Sequence, residues 1–169
     1  SEAEYLRKNM ARIDKSEESR TGLGLICDII PPEDTKLALQ YPWVFIGNDY
    51  GGRSVDPKTG ESIAGSPRAL GTFSRLLGHW SRDEGAITLK QALFKATIAP
   101  ALWLGLEKKG RLQEGCDADI VIFNPDTIID RAEWLGGKQN LKPDGIHYVI
   151  VNGAIVVENG KLTGNAPGR

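Results

Sequence analysis

The feature that most constrains the fold is a pair of continuous apolar runs joined by a short helical segment. Residues 21–30 read TGLGLICDII, residues 43–49 read WVFIGND, and PPEDTKLALQY lies between them. Proline at its start and acidic residues in its first turn predict a short helix over residues 31–41. Because both flanking runs are continuously apolar, they predict parallel strands covered on both faces, as in a doubly wound sheet or a (β/α)8 barrel. Two strands cannot make such a sheet, so this α/β unit is interpreted as part of a larger one.

The segments on either side of this unit are strongly polar. Residues 4–20 are charged, and their few apolar side chains are close to helical spacing, which predicts a surface helix. Residues 50–69 are rich in Gly, Pro, Ser and charge, which predicts a long irregular loop. Loops of this length are more often functional than not.

Two helical segments follow the loop. GTFSRLLGHWSRD, at 71–83, has its apolar residues at helical spacing. TLKQALFKATIAPALWLGL begins with Thr88 as N-cap and Gln91 three positions later, which is a capping box. Pro100 is expected to break or restart this helix near Ala99, and Gly105 to cap its end.

From Gly110 onwards the apolar period changes from about 3.6 residues to 2. Strands are predicted at 119–123, 148–151 and 154–157. The last two flank Asn152-Gly153, the sequence typical of a type I′ hairpin turn, and a second Asn-Gly pair follows at 159–160. This part of the chain is therefore predicted to form a small antiparallel β-module that packs beside the helices.

Composition excludes several function classes. The 169 residues carry a net charge of −1 and a pI near 6.1, so nothing directs the chain to nucleic acid or to an anionic membrane surface. No apolar run approaches the roughly 20 residues of a membrane span, and the charged start lacks the apolar core of a secretory signal. Cys27 and Cys116 lie far apart without a CxxC partner and are expected to be reduced and buried in a cytoplasmic protein.

The metal-ligating residue types are few and scattered. His79 and His147 are the only histidines, and neither belongs to an HxH or HxxxH pair. A zinc site built from this chain alone would have to combine them with the two cysteines and isolated carboxylates, without a diagnostic spacing. The sequence therefore does not predict a self-contained metal site.

Two residues are the candidates for chemistry. Asp49 ends a predicted buried strand and precedes a glycine-rich loop, a position from which a carboxylate could bind a metal or take a proton from a water. The alternative is an aspartate that turns the chain by bonding its own backbone. Arg68, in GSPRALGTF, could bind a substrate carboxylate with its guanidinium fork, or could be an ordinary solvated arginine. Asp117 and Asp119, in GCDADIVIF, are interpreted as turn and edge residues rather than as an acid–base pair.

Longer stretches of the chain resemble a known family. GRLQEGCDADIVIFNPDTIIDRA and IHYVIVNGAIVVENGKLTGNAPGR resemble the C-terminal β-module of the amidohydrolase superfamily. PWVFIGND, SPRALGTFSRLLGHWSRDEG and TLKQALFKATIAPALWLGL extend the similarity to the D-aminoacylase, or N-acyl-D-amino-acid deacylase, family. The resemblance runs from about Gly22 to Arg169.

This resemblance implies a zinc-dependent hydrolase with a (β/α)8 barrel flanked by a β-sandwich. The chain would be the final third of such an enzyme. Residues 1–109 would supply the last βα units of the barrel with the trailing helices, and residues 110–169 the C-terminal half of the sandwich. The main zinc ligands of the family would lie upstream of this chain.

The resemblance also assigns roles to the two candidates. Asp49 matches the catalytic aspartate, the general base that takes a proton from the hydrolytic water and returns it to the leaving amine. Arg68 matches the arginine that binds the α-carboxylate of the substrate. The chain departs from the family where Tyr50 replaces the glycine of an SDG motif and where Ser66 replaces a histidine. Both departures concern the substrate end of the site.

The function implied is hydrolysis of the amide bond of N-acyl-D-amino acids by a zinc-activated water, with this chain inactive alone. One alternative is a different amidohydrolase, such as a cyclic amidase or a dihydropyrimidinase-like enzyme. Another is a non-catalytic assembly fragment. The expected partner is a small-molecule N-acyl amino acid, and the fragment is expected to self-associate or to pair with the missing N-terminal part.

Overall fold

The N-terminal part of the chain contains a short antiparallel strand pair. The computed structural model describes residues 10–13, 25–27, 30–50, 54–55, 62–63, 66–134 and 138–168. Strand β1, Met10–Ile13, pairs antiparallel with β2, Leu25–Cys27. The predicted helix over residues 4–20 is therefore wrong at 10–13, because a partner strand twelve residues further along the chain supplies backbone hydrogen bonds that local spacing cannot reveal. The strand predicted within 21–30 is confirmed, but its partner is antiparallel.

The predicted helix after this pair is confirmed. Helix α1, Pro32–Gln40, begins after Pro31 and carries two acidic residues in its first turn. The next prediction is wrong: residues 44–50 form no helix or strand. An apolar run becomes a strand only when a neighbouring strand forms backbone hydrogen bonds with it. None of the described strands pairs with residues 43–49.

The segment predicted as an irregular loop contains regular structure. Strands β3, Ser54–Val55, and β4, Ser62–Ile63, pair antiparallel. The last two residues of the predicted loop are helical, because helix α2 begins at Arg68. The prediction of a structureless loop over 50–69 is thus corrected.

The helical region follows the sequence closely. Helix α2, Arg68–Arg75, continues into a π-helical segment, Leu76–Asp83. Helix α3, Leu89–Ala96, begins with the predicted capping box. The helix then breaks at Thr97, earlier than predicted, and restarts as α4, Ile98–Trp103, after which Gly105 adopts a left-handed φ of 70°.

The C-terminal β-module is confirmed. Strands β5, Ile120–Phe123, β6, Ile146–Val151, β7, Ala154–Glu158, and β8, Lys161–Leu162, form one antiparallel sheet in that order. Both residues of the turn between β6 and β7, Asn152 and Gly153, have positive φ values of 47° and 82°, as a type I′ turn requires.

Buried side chains join α1 to the later helices. Leu39, Leu76, Ile87 and Ala92 form an apolar cluster against which Ile46 packs. Among the described residues no helix is both long and apolar enough to cross a membrane. The helices and the β-module also touch, since the Arg82 guanidinium donates to the backbone oxygens of Pro125 and Ile128 at 3.2 and 2.7 Å.

The structure describes the side chain of one cysteine, Cys116. Cys116 is a half-buried free thiol rather than a fully buried one. The prediction for the side chain of Cys27 lies outside the described residues.

Candidate functional site

Asp49 lies at the end of the segment that leaves α1 and packs against the helical core through Ile46. Ile46, three residues earlier, is anchored by its packing on the apolar cluster and by its N–H, which donates to the Lys95 backbone oxygen at 3.3 Å. The Asp49 side chain is 91% exposed, so its carboxylate is presented to solvent rather than buried.

The turn at Asp49 is made by its neighbour. Asn48 accepts a hydrogen bond from the Tyr50 N–H through its side-chain oxygen at 3.3 Å, an Asx-type contact across two residues. Asp49 itself has φ 46°, the left-handed region that aspartate tolerates better than most residues. The alternative interpretation, an Asx turn made by Asp49 itself, would involve the N–H of Gly51, which lies outside the described residues.

Arg68 reaches Asp49 across nineteen residues of chain. Its side chain extends from the first position of α2, and Nη1 donates to the Asp49 Oδ2 at 3.3 Å. Pro67 precedes it as N-cap, which suits the start of a helix because proline has no N–H to leave unpaired. The structure thus brings the two sequence candidates into one ion pair.

This ion pair is weak enough to be exchanged. Arg68 is half exposed and Asp49 almost fully so. Exposed ion pairs contribute about 0–1 kcal/mol to stability. A carboxylate from a bound molecule could therefore take the place of Asp49 on the guanidinium at little cost.

A third residue belongs to this region, and the sequence analysis did not identify it. Lys95 is only 4% exposed, and burial lowers the pKa of its ammonium below the ordinary value. Its Nζ donates to the backbone oxygen of Val44 at 3.0 Å and to that of Tyr41. The available signal was a lysine three residues after the fully buried Ala92, on the apolar stripe of α3.

The other acidic pair has a structural role, as the sequence indicated. The Lys109 ammonium contacts both Asp117 and Asp119, and the Asn152 N–H donates to Asp119 at 2.8 Å. The Lys109 hydrogen bond, followed by that from Asn152, lowers the pKa of the Asp119 carboxyl. This network ties the entry to β5 to the β6–β7 turn.

The described part of the chain does not fit a self-contained metal centre. Within it, no three His, Cys, Asp or Glu side chains lie close enough together to hold an ion. Asp49 brings one carboxylate to the site, and its contact is a guanidinium rather than a second ligand-type group. A metal cage would need residues from outside the described part of the chain.

Comparison with known proteins places the chain in a family. The amidohydrolase family matches residues 6–156, most of the chain. The chain belongs to the amidohydrolase family. Among its relatives is a D-aminoacylase from Alcaligenes xylosoxydans xylosoxydans, 43% identical over 103 residues, which cover 61% of this chain and 21% of that protein. An N-acyl-D-glutamate deacylase of the same organism is 43% identical over 90 residues, which cover 53% of this chain and 18% of that protein.

Solved structures agree with these relatives. A D-aminoacylase structure, from work on its binuclear metal centre, superposes with a TM-score of 0.73 at 36% identity, over 88% of this chain and 29% of that one. The N-acyl-D-glutamate deacylase of Bordetella bronchiseptica, complexed with zinc and a phosphonate inhibitor, gives 0.71 at 34% identity, over the same shares of the two chains. These similarities place the chain in the D-aminoacylase family of the amidohydrolase superfamily. The chain spans less than a third of the length of these relatives.

Proposed function

We propose that this chain is the C-terminal part of an enzyme that hydrolyses the amide bond of N-acyl-D-amino acids. The observation that carries the proposal is the Asp49–Arg68 ion pair, which joins a group able to move a proton to a group able to bind a carboxylate. An N-acyl amino acid needs both groups close together, because its free carboxylate lies one carbon away from its amide nitrogen. The D-aminoacylase relatives support the amide as the bond that is cleaved.

In this proposal Arg68 binds the α-carboxylate and fixes the direction of the substrate. The guanidinium presents its donors in a planar fork that matches a carboxylate. Binding the substrate there displaces Asp49 from the ion pair. The released carboxylate then takes a proton from the attacking water and later donates it to the leaving nitrogen.

We also propose zinc as the cofactor, held by residues outside this chain. The zinc complex of the N-acyl-D-glutamate deacylase supports this choice. When bound, zinc supplies Lewis-acid chemistry to amide hydrolysis. Since the described residues do not form a cage, the fragment alone is expected to be inactive.

The architecture proposed for the whole enzyme follows the family. Residues 1–109 would complete a (β/α)8 barrel, and residues 110–169 would form half of a β-sandwich. In that setting, residues 43–49 would receive the strand neighbours that the described residues lack.

The test is a pair of substitutions in the full-length enzyme. Asp49→Asn removes the proton-accepting group and is expected to lower kcat by about 10²- to 10⁴-fold. Arg68→Met removes the carboxylate-binding fork and is expected to raise KM for an N-acyl-D-amino acid, with a smaller effect on kcat. Activity is measured at several substrate concentrations, with zinc present.

The chain offers a matched control pair. Arg131 donates to Asp144 at 2.6 Å, and both side chains are about half exposed. Asp144→Asn and Arg131→Met change charge in the same way at a different place, and should leave kcat and KM within about twofold. Unchanged turnover in Asp49→Asn would refute the catalytic assignment.

The same experiment separates the alternatives. A cyclic amidase would prefer cyclic amides, and its preference would be unaffected by Arg68→Met. An assembly fragment would leave the full-length protein without any activity that depends on Asp49. A panel of N-acyl-D-amino acids, N-acyl-L-amino acids and cyclic amides distinguishes these outcomes.

A further inference from the structure

Lys95 is a buried cation that the proposed chemistry does not use. Its side chain is 4% exposed, on the inner face of α3 beside the fully buried Ala92. Lysine is among the residues least often fully buried, because desolvating an ammonium is costly. Among the described ion pairs none includes Lys95, and its ammonium donates to backbone carbonyls instead.

Those carbonyls belong to the segment that leads to Asp49. The Lys95 Nζ donates to the Val44 oxygen at 3.0 Å and to the Tyr41 oxygen. Lys95 also accepts from Ile46 through its own backbone oxygen, at 3.3 Å. One residue therefore holds the segment at three points between the end of α1 and the turn at Asp49.

The positive charge suits this position. Tyr41 is the C-cap of α1, where the helix dipole leaves partial negative charge on the last carbonyls. A neutral apolar side chain could fill the same space but could not bond either oxygen. Residues 44–50 form no helix or strand in the described structure, and these hydrogen bonds fix the backbone of the segment that precedes Asp49.

We propose that Lys95 is a positioning residue for the reaction: it holds residues 41–46 so that Asp49 is presented beside Arg68. This inference rests on the proposed function. Arg68 is held separately, by α2, so the effect of Lys95 on the site runs through the position of Asp49 rather than through substrate binding.

The experiment is a double-mutant cycle in the full-length enzyme. Lys95→Met keeps the apolar volume and removes the three donors. We expect kcat to fall by about 10- to 100-fold, since displacements near 1 Å can cost that much, while KM stays within about twofold. In the Asp49→Asn background the same substitution should have no further effect on kcat. Lys90→Met, on the exposed face of the same helix, is the control and should match wild type.

Other outcomes overturn the inference. If Lys95→Met lowers kcat by the same factor in the Asp49→Asn background, Lys95 does not act through Asp49, although the proposed function stands. A rise in KM that accounts for the whole loss also refutes it. Should the methionine variant fail to fold, Lys95→Gln keeps one amide donor and is judged by the same cycle. The proposed function fails separately, if Asp49→Asn alone leaves turnover unchanged.

Discussion

Gly78→Ala is expected to destabilise the contact between the helices and the β-module. Gly78 is buried in the π-helical segment, and a Cβ built there would lie 2.1 Å from the Ile128 backbone oxygen and 2.9 Å from the Ile129 Cδ1. Ordinary contact begins near 3.4 Å. To accommodate the new methyl group, the Ile128 backbone oxygen must move by more than 1 Å. Backbone moves less easily than the end of a flexible side chain.

The magnitude follows from two opposing effects and one coupled loss. Overpacking costs about 1–3 kcal/mol, whereas replacing a helical glycine by alanine recovers up to about 1 kcal/mol. The displaced Ile128 oxygen also accepts from the Arg82 Nη1 at 2.7 Å, and hydrogen bonds to charged groups contribute about 1.5–3 kcal/mol. A net loss of about 2–4 kcal/mol in the free energy of unfolding is expected.

The assay is thermal melting of the full-length enzyme combined with hydrogen exchange. Exchange should quicken at the Ile128 and Ile129 amides, which donate to the Asn124 and Asp144 oxygens. Gly168→Ala is the control, because a Cβ there would meet no atom within 4 Å and the residue lies outside the segment that carries Asp49. If the Gly78→Ala enzyme has the melting temperature and the exchange rates of wild type, the close approach of Gly78 to the Ile128 backbone is refuted.

Three further outcomes are expected. The lowered pKa of Asp119 means that its ion pair with Lys109 stabilises the fold above about pH 4 and loses that effect as pH falls through the lowered pKa. Asp119→Asn should therefore destabilise at pH 7 and match wild type in acid, as measured by urea unfolding at both pH values. Thr88→Ala removes the side-chain oxygen that accepts the hydrogen bond from the Gln91 N–H at the start of α3. It should lower the free energy of unfolding by about 1 kcal/mol in the same assay. N-acyl amines without a carboxylate should have a low kcat/KM with the wild-type enzyme. Arg68→Met should not lower that kcat/KM further, because these compounds have no carboxylate for Arg68 to bind.

Local chemistry made part of this structure predictable. The Asn-Gly turns were recognisable because their residues tolerate positive φ, and both Asn152 and Asn159 adopt 47°. The capping box at Thr88 was recognisable because its two hydrogen bonds join residues only three apart. In each case the interacting groups are neighbours along the chain, so the pattern contains the whole interaction.

The functional region was only partly predictable. Position after an apolar run and the family resemblance singled out Asp49 and Arg68 as separate residues, and their assigned roles remain predictions. Nothing in the spacing indicated the 3.3 Å ion pair between them. Lys95 was missed because a lysine on an apolar stripe is ordinarily solvated, and its carbonyl partners come from a segment about fifty residues earlier in the chain.

The sequence by itself therefore determined the Asn-Gly turns, the starts of α1 and α3, and the family. Tertiary structure decided which strands pair, where residues 43–49 run and which side chains meet at the site. The physical reason is that a strand and an ion pair both need a partner from elsewhere in the chain. An apolar run such as WVFIGND indicates that burial of its side chains is favourable. It does not indicate whether a second strand lies beside it, and without that second strand it cannot form a sheet.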